Sequence, residues 1–203
     1  MSRLLFLSAV IVFCLQLSCS TRRQTFQAEQ GVVINGVRWA TRNVDIPGRF
    51  TEKPEDSGML YSWNSRQLVP RSGQPNRSAI VSESSTRWER SNNPCPRGWR
   101  VPTLEEFQSL IDAGSSWANH NGVYGRFFGF EGEQIFLPAV EQARNSSGRP
   151  QDLRTNTTNT IATYWSSTES TFTAYRLLFR QVGVGMGSAH KDNMFTVRCV
   201  ADE

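Results

Sequence analysis

The chain has 203 residues, of which 38% are hydrophobic and 20% are charged. These proportions exclude a disordered polymer and a bundle of membrane helices, and the length suits one domain with a core rather than two. The net charge of +4 comes from dispersed arginines, with no basic run longer than Arg22-Arg23, so no nucleic-acid partner is expected.

The N-terminal segment has the pattern of an export signal. Arg3 precedes an apolar stretch of fourteen residues, Leu4 to Leu17, which is too short to span a bilayer and suits a secretory signal. Residues 1–19 are therefore predicted to be a signal peptide, and the protein is predicted to be exported to the cell envelope.

The end of this signal has two open interpretations. The segment that ends at Cys19 resembles a lipobox, after which bacterial lipoproteins are cut and acylated on the cysteine, although Gln16 stands where that signal usually has an aliphatic residue. The alternative is ordinary cleavage after Ser20. We expect the first, with the lipid on Cys19 as the only membrane contact and the outer membrane as the location, on either its periplasmic or its outer face.

Export also predicts a disulfide. Cys14 lies within the apolar stretch, and Cys19 is either lipidated or removed. The mature domain keeps Cys95 and Cys199, which lie in an oxidising compartment and allow a single connectivity.

The next elements follow in chain order. Residues 20–30 are polar and predict a tether. Asn35-Gly36 between two apolar-rich arms predicts a hairpin, and Gly58 to Trp63 predicts a short strand. Residues 64–93 predict a long loop or insertion.

A helix is predicted at about 103–113. Thr103 and Glu106 form a capping box, the apolar residues that follow share one helical face, and Gly114 ends the helix. Gln134 to Ala139 predicts a buried strand, and residues 141–161 predict another loop.

The C-terminal part predicts two β arms and a closing strand. In the second arm, Ala174 to Gly187, the residues Tyr175, Leu177 and Phe179 alternate with residues that include two arginines. In the closing strand, Phe195, Val197 and Cys199 lie on the same face, which is predicted to point inward. Short, mostly antiparallel strands with one helix and long loops predict a single α+β domain over residues 31–203.

Six segments carry a family resemblance: "INGVRWATRNVDIPG", "PEDSGMLYSWN", "NPCPRGWRVPTLEEFQSLI", "FLPA", "YWSSTES" and "FTVRCVAD". In this order they resemble the Fibrobacter succinogenes major paralogous domain, which is common in exported lipoproteins of Bacteroidetes and Fibrobacteres. More distantly, the chain is similar to the C-type lectin-like fold. That resemblance implies a disulfide from the region before the helix to the last strand, which would be Cys95–Cys199.

The same resemblance implies where a ligand binds, because such domains use loops and strand faces of their C-terminal half. The candidate residues are Arg176, Arg180, His190, Lys191, Asp192 and Asn193. Gly183, Gly185 and Gly187 predict an irregular, accessible loop among them. Cations and amides suit an anionic or hydroxyl-rich ligand, so the expected partner is an unknown glycan or an envelope protein. The alternative for these residues is a solvated hairpin with ordinary surface charge.

Three functions remain open: a binding module, which we favour, a structural or tip subunit of a fimbria-like surface assembly, and a glycan-active enzyme. For the enzyme, Glu131 and Glu133 are the carboxylate pair to consider. Neither His120 nor His190 has the spacing of a zinc site, and neither Gln74-Pro75-Asn76 nor Lys191-Asp192-Asn193 makes a convincing calcium cage. No enzymatic activity, cofactor or metal is expected.

The long aromatic stretch with Tyr124, Phe127 and Phe128 predicts either a covered loop or an exposed patch.

Overall fold

The structure is a computed structural model that describes residues 28–67, 87–141, 151–152 and 161–202. The predicted signal peptide with Cys19, most of the predicted tether and much of the two predicted loops, including Gln74-Pro75-Asn76, lie outside the described residues. Within these ranges, no helix has the length and apolar character of a membrane span.

The described chain has one α-helix and many short strands, which confirms the predicted α+β class. In chain order the elements are β1 (Val32–Ile34), β2 (Val37–Asn43), β3 (Leu60–Ser62), β4 (Trp99–Arg100), α1 (Leu104–Asp112), β5 (Ser115–His120), β6 (Val123–Phe130), β7 (Glu133–Pro138), β8 (Val140–Glu141), β9 (Gln151–Asp152), β10 (Ala162–Ser170), β11 (Thr173–Arg180), β12 (Gly183–His190), β13 (Met194–Thr196) and β14 (Arg198–Ala201). A short 3₁₀ helix, Arg90–Asn92, precedes β4.

The strands form four sheets. Their orders are β1-β2-β14-β4, β12-β11-β10-β13-β3, β5-β6-β7 and β8-β9. The pairing of β10 with β13 is parallel, and the other strand pairs described are antiparallel. The last strand, β14, lies between β2 and β4, so the end of the domain is paired to its beginning.

The predicted turn at Asn35-Gly36 and the predicted capping box at the start of the helix are both confirmed. Asn35 and Gly36 have φ values of 48° and 81°, as a type I′ turn requires at its two central positions. At the helix, the Thr103 side chain accepts from the Glu106 amide and the Glu106 carboxyl accepts from the Thr103 amide. Burial alone would raise the pKa of Glu106, but hydrogen bonds from Arg100 and from the Thr103 amide outweigh it and lower that pKa.

A first core cluster surrounds the helix. Phe107 and Leu110 of α1 are fully buried and belong to one cluster with Trp39, Tyr164 and Phe179 from three strands. These apolar contacts hold the helix against the sheets, as its apolar face predicts.

A second core cluster surrounds the disulfide. Cys95 and Cys199 are bonded at 2.08 Å, which confirms the predicted pairing, and both belong to a cluster with Trp63, Trp165 and Phe195. The disulfide joins the segment before β4 to the central strand β14.

The closing segment differs from its predicted alternation. Val197 and Cys199 are fully buried as expected, but Thr196 and Arg198 are fully buried too. Both faces of the segment are covered, because Val197 and Cys199 belong to the second core cluster and Val200 belongs to the first.

Glu29 falls within the predicted tether and nevertheless contacts the domain. Its Oε2 atom accepts from Arg42 Nε at 2.8 Å, and its Oε1 atom accepts from the Thr41 amide at 3.1 Å. These bonds tie the chain before β1 to β2.

Candidate recognition surface

The six candidate residues lie along one hairpin and the turn that follows it. In the β11–β12 pairing, Arg176 faces Gly187, Arg180 faces Gly183, and His190 faces Thr173 at the other end. Because a strand rises about 3.4 Å per residue, Arg180 and His190 lie about 24 Å apart. The six residues therefore do not converge on one site.

The glycine-rich segment is a strand and not an irregular loop, so that prediction is wrong. Gly183, Gly185 and Gly187 are regularly paired residues of β12. Their φ angles lie outside the left-handed region, so the backbone itself does not require glycine. Pairing with β11 over the whole length of β12 outweighs the low strand preference of glycine.

Lys191 was expected in an accessible loop but is mostly buried. Its side chain is 12% exposed, with Nζ 3.1 Å from Glu169 Oε1 and 4.6 Å from the centre of the Trp63 ring. An ammonium held by a carboxylate and an aromatic face stabilises the fold locally. Lys191 is thus engaged within the domain.

The other turn residues are exposed. His190 Nδ1 lies 3.3 Å from Asp192 Oδ2, with side chains 66% and 60% exposed. Asn193 Nδ2 donates to the His190 carbonyl at 3.0 Å. These contacts close the turn after β12.

Arg176 combines partial burial with unused hydrogen-bonding capacity. Its guanidinium carbon lies 5.2 Å from the centre of the Phe195 ring, and its Nε has no hydrogen-bond partner among the described residues. Burial lowers the pKa of Arg176 from its ordinary value. Arg180, four residues along β11, is exposed.

Arg176, Leu178 and Arg180 share one face with their partners on β12, because directly paired residues point to the same side of a sheet. We call this surface the glycine–arginine face; its residues are Arg176, Leu178, Arg180, Gly183, Gly185 and Gly187. The two arginines are about 14 Å apart along the strand.

The three glycines of this face differ in what surrounds them. A Cβ atom on Gly187 would lie 2.7 Å from Leu178 Cδ2, so a side chain there requires the Leu178 side chain to move. At Gly183 and Gly185, no atom of the described chain lies within 4 Å of that position. Glycine at these two positions leaves a flat strip of bare backbone beside the arginines.

A separate cleft of about 690 Å³ includes Arg87, Arg90 and Arg100 in its lining. Arg100 donates to both carboxyl oxygens of Glu106, at 2.7 and 2.8 Å, and its Nε lies 3.7 Å from Asp202. The cleft therefore contains both positive and negative groups. Because the charge of Arg100 is already paired with carboxylates, the cleft is expected to bind anions only weakly.

The remaining predicted features are placed as follows. Glu131 lies in the β6–β7 turn and Glu133 begins β7, both exposed. The stretch with Tyr124, Phe127 and Phe128 was predicted to be a covered loop or an exposed patch, but it is strand β6, and Phe128 is buried in the first core cluster. Among the described residues, no group of three or more His, Cys, Asp or Glu side chains could hold a metal ion.

Comparisons of the chain with protein-family models, with curated proteins and with solved structures returned no match.

Proposed function

We propose that this protein is an exported, lipid-anchored binding module of the cell envelope that recognises an anionic glycan on its glycine–arginine face. The export pattern and the lipobox-like segment ending at Cys19 support the location. The six sequence segments support membership of the Fibrobacter succinogenes major paralogous domain family and a C-type lectin-like fold. Catalysis is not part of this proposal.

Gly183 and Gly185 are the observation that carries the proposal. Glycine weakens a strand because it loses more conformational freedom on folding and has no side chain to pack. Neither backbone angle nor internal packing in the described chain requires it at these positions. A ligand that lies close against the backbone is a physical reason for the bare strip.

The arginines define the chemistry of that ligand. Arg176 and Arg180 place two cations on the same side of β11, with Leu178 between them. Guanidinium groups bind carboxylates and sulfates through paired hydrogen bonds, and the flat strip beside them accepts an extended chain. An anionic glycan satisfies both features.

A surface-assembly subunit is the second candidate, and one observation favours it. In the order of the described strands, β12 stands at the edge of its five-stranded sheet. An eight-residue edge strand can pair with a strand of another protein. In a screen of glycans and envelope proteins, capture of an envelope protein and of no glycan would favour this candidate.

Binding to an array of acidic and neutral glycans tests the proposed face. We expect the double variant Arg176→Gln, Arg180→Gln to lose at least about tenfold in affinity, since it removes both cations. Gly185→Trp should also abolish binding, because it covers the bare strip and meets no described atom. Gly185→Trp should keep nearly the wild-type melting temperature, and the double variant should remain folded after losing the Arg176–Phe195 contact, which contributes about 1 kcal/mol.

The double variant Arg38→Gln, Arg97→Gln is the matched control, because it removes the same charge from exposed arginines outside the face. It should bind like wild type. If the face variants and this control bind acidic glycans equally well, the glycine–arginine face is not the binding site.

The lipid anchor is tested by cell fractionation. Cys19→Ala should move the protein from the membrane fraction to the soluble fraction, because a cysteine thioether is the only attachment proposed. A wild-type protein that is already soluble and begins at Thr21 would contradict the anchor, while leaving the binding face untested by that result.

A further inference from the structure

A second polar pocket of about 440 Å³ lies between the segment before β3 and the β5–β6 turn. Its lining includes Lys53, Glu55, Asp56, His120, Asn121 and Val123. None of these residues belongs to the glycine–arginine face.

Glu55 is the unusual group in this pocket. Its side chain is only 10% exposed. Oε1 accepts from Asn121 Nδ2 at 3.1 Å, whereas the buried Oε2 has no hydrogen-bond partner among the described residues. A buried carboxylate oxygen without a donor is unfavourable, and its presence calls for a physical reason.

His120 lies across the pocket from that oxygen. Its Nε2 atom is 4.0 Å from Glu55 Oε2, beyond hydrogen-bonding distance, and 3.5 Å from Asn121 Nδ2. The ring packs against Phe127 and Phe136, with centroid distances of 5.3 and 5.0 Å. These contacts hold the imidazole so that it faces the carboxylate across a gap.

The size of the gap indicates what fills it. An atom at about 2.8 Å from both Oε2 and Nε2 spans the gap with an angle of about 90°, narrower than the tetrahedral angle but compatible with two bent hydrogen bonds from one donor atom. The lining has two carboxylates, Glu55 and Asp56, against one lysine, Lys53. That excess favours a cation over a neutral hydroxyl group.

We propose that this pocket binds the primary ammonium group of a small ligand. The ammonium donates to Glu55 Oε2 and, when the imidazole is neutral with its proton on Nδ1, to His120 Nε2, where it replaces the 3.5 Å contact of Asn121 Nδ2. Asn121 fixes the carboxylate by its bond to Oε1. The site is independent of the proposed glycan face, because it uses other residues and ligands of the opposite charge.

Calorimetry of the full chain with four probes at neutral pH tests this site. Glucosamine and n-butylamine carry the ammonium group, glucose replaces it with a hydroxyl, and N-acetylglucosamine neutralises it. We expect glucosamine to bind at least about tenfold more tightly than glucose or N-acetylglucosamine. Binding of n-butylamine as well would show that the ammonium alone suffices, whereas binding of glucosamine only would add the sugar ring to the recognition.

The variant Glu55→Gln keeps the size of the side chain and an acceptor for Asn121 but presents a donor to the ammonium. It should lose at least about tenfold in glucosamine affinity. His120→Gln should lose less, since it removes the weaker of the two acceptors. Glu52→Gln is the matched control, because Glu52 is an exposed carboxylate of the same segment, and it should bind like wild type.

Three results would overturn the proposal. One is the absence of binding by either ammonium probe, which would leave only water in the gap. The second is equal affinity for glucose and glucosamine. The third is a folded Glu55→Gln protein, verified by its melting temperature, that binds glucosamine as wild type does. None of these results bears on the glycine–arginine face.

Discussion

Replacing Cys95 and Cys199 together by alanine should lower the free energy of unfolding by about 4 to 5 kcal/mol. The two cysteines are separated by 104 positions in the chain, so the disulfide closes a long loop and removes much conformational freedom from the unfolded state. For a domain with a total stability of about 5 to 15 kcal/mol, that loss is a large share. Urea denaturation of the oxidised wild type and the variant measures the difference.

Reduced wild-type protein is the matched control for the disulfide. It lacks the crosslink but keeps both sulfur atoms in the second core cluster, so it separates the crosslink from the small cavities left by alanine. Reduction should account for most of the loss. If the reduced wild type is as stable as the oxidised protein, the disulfide does not stabilise the fold through the unfolded chain.

Local and covalent features of the fold were predictable. Asn35-Gly36 and the Thr103–Glu106 capping box act over a few residues, so the sequence around them determines their structure. Cys95–Cys199 was predictable because the predicted export signal accounts for the other two cysteines, which leaves a single possible pairing. The α+β class followed from the short strands and the one amphipathic helix.

One fold feature was missed although its signal was present. Asn121 and Gly122 have φ values of 51° and 86°, the same turn as Asn35-Gly36, and they join β5 to β6. The residues that follow are rich in glycine and aromatic side chains, and for this reason the segment was predicted to be a loop or a patch and not a hairpin. The second predicted β arm, Ala174 to Gly187, reaches into β12, but its glycines were also interpreted as a loop. Pairing with β11 overrides their low strand preference.

The candidate sites depended on long-range contacts that no local pattern encodes. Lys191 meets Glu169 and Trp63 only after three separate segments come together. Glu55 and His120 face each other across a pocket formed by distant parts of the chain. Arg176 and Arg180 were predicted on one strand face, and the pairing of β11 with β12 adds the bare strip that gives the face its shape.

Arg198→Met should destabilise the protein by at least about 3 kcal/mol, measured by urea denaturation. The Arg198 guanidinium is fully buried and donates to Asn43 Oδ1 at 2.9 Å, to the Ala40 carbonyl at 2.9 Å and to the Phe136 carbonyl at 3.0 Å. It thereby joins β14 to β2 and β7. Burial lowers the pKa of Arg198 to about 10, so the group remains charged at neutral pH.

Methionine fills a similar volume but leaves all three acceptors without their donor, and each such loss costs about 1 to 3 kcal/mol. Removing a buried cation offsets part of this loss, because its desolvation is unfavourable.

Arg198→Lys keeps the buried charge yet cannot reach the three acceptors at once, so it should be at least as destabilising as methionine. Arg100→Met is the control: it removes a partly exposed arginine from the adjacent strand β4 and should cost about 1 kcal/mol. Equal losses for Arg198→Met and Arg100→Met would show that the three buried hydrogen bonds do not hold these strands together.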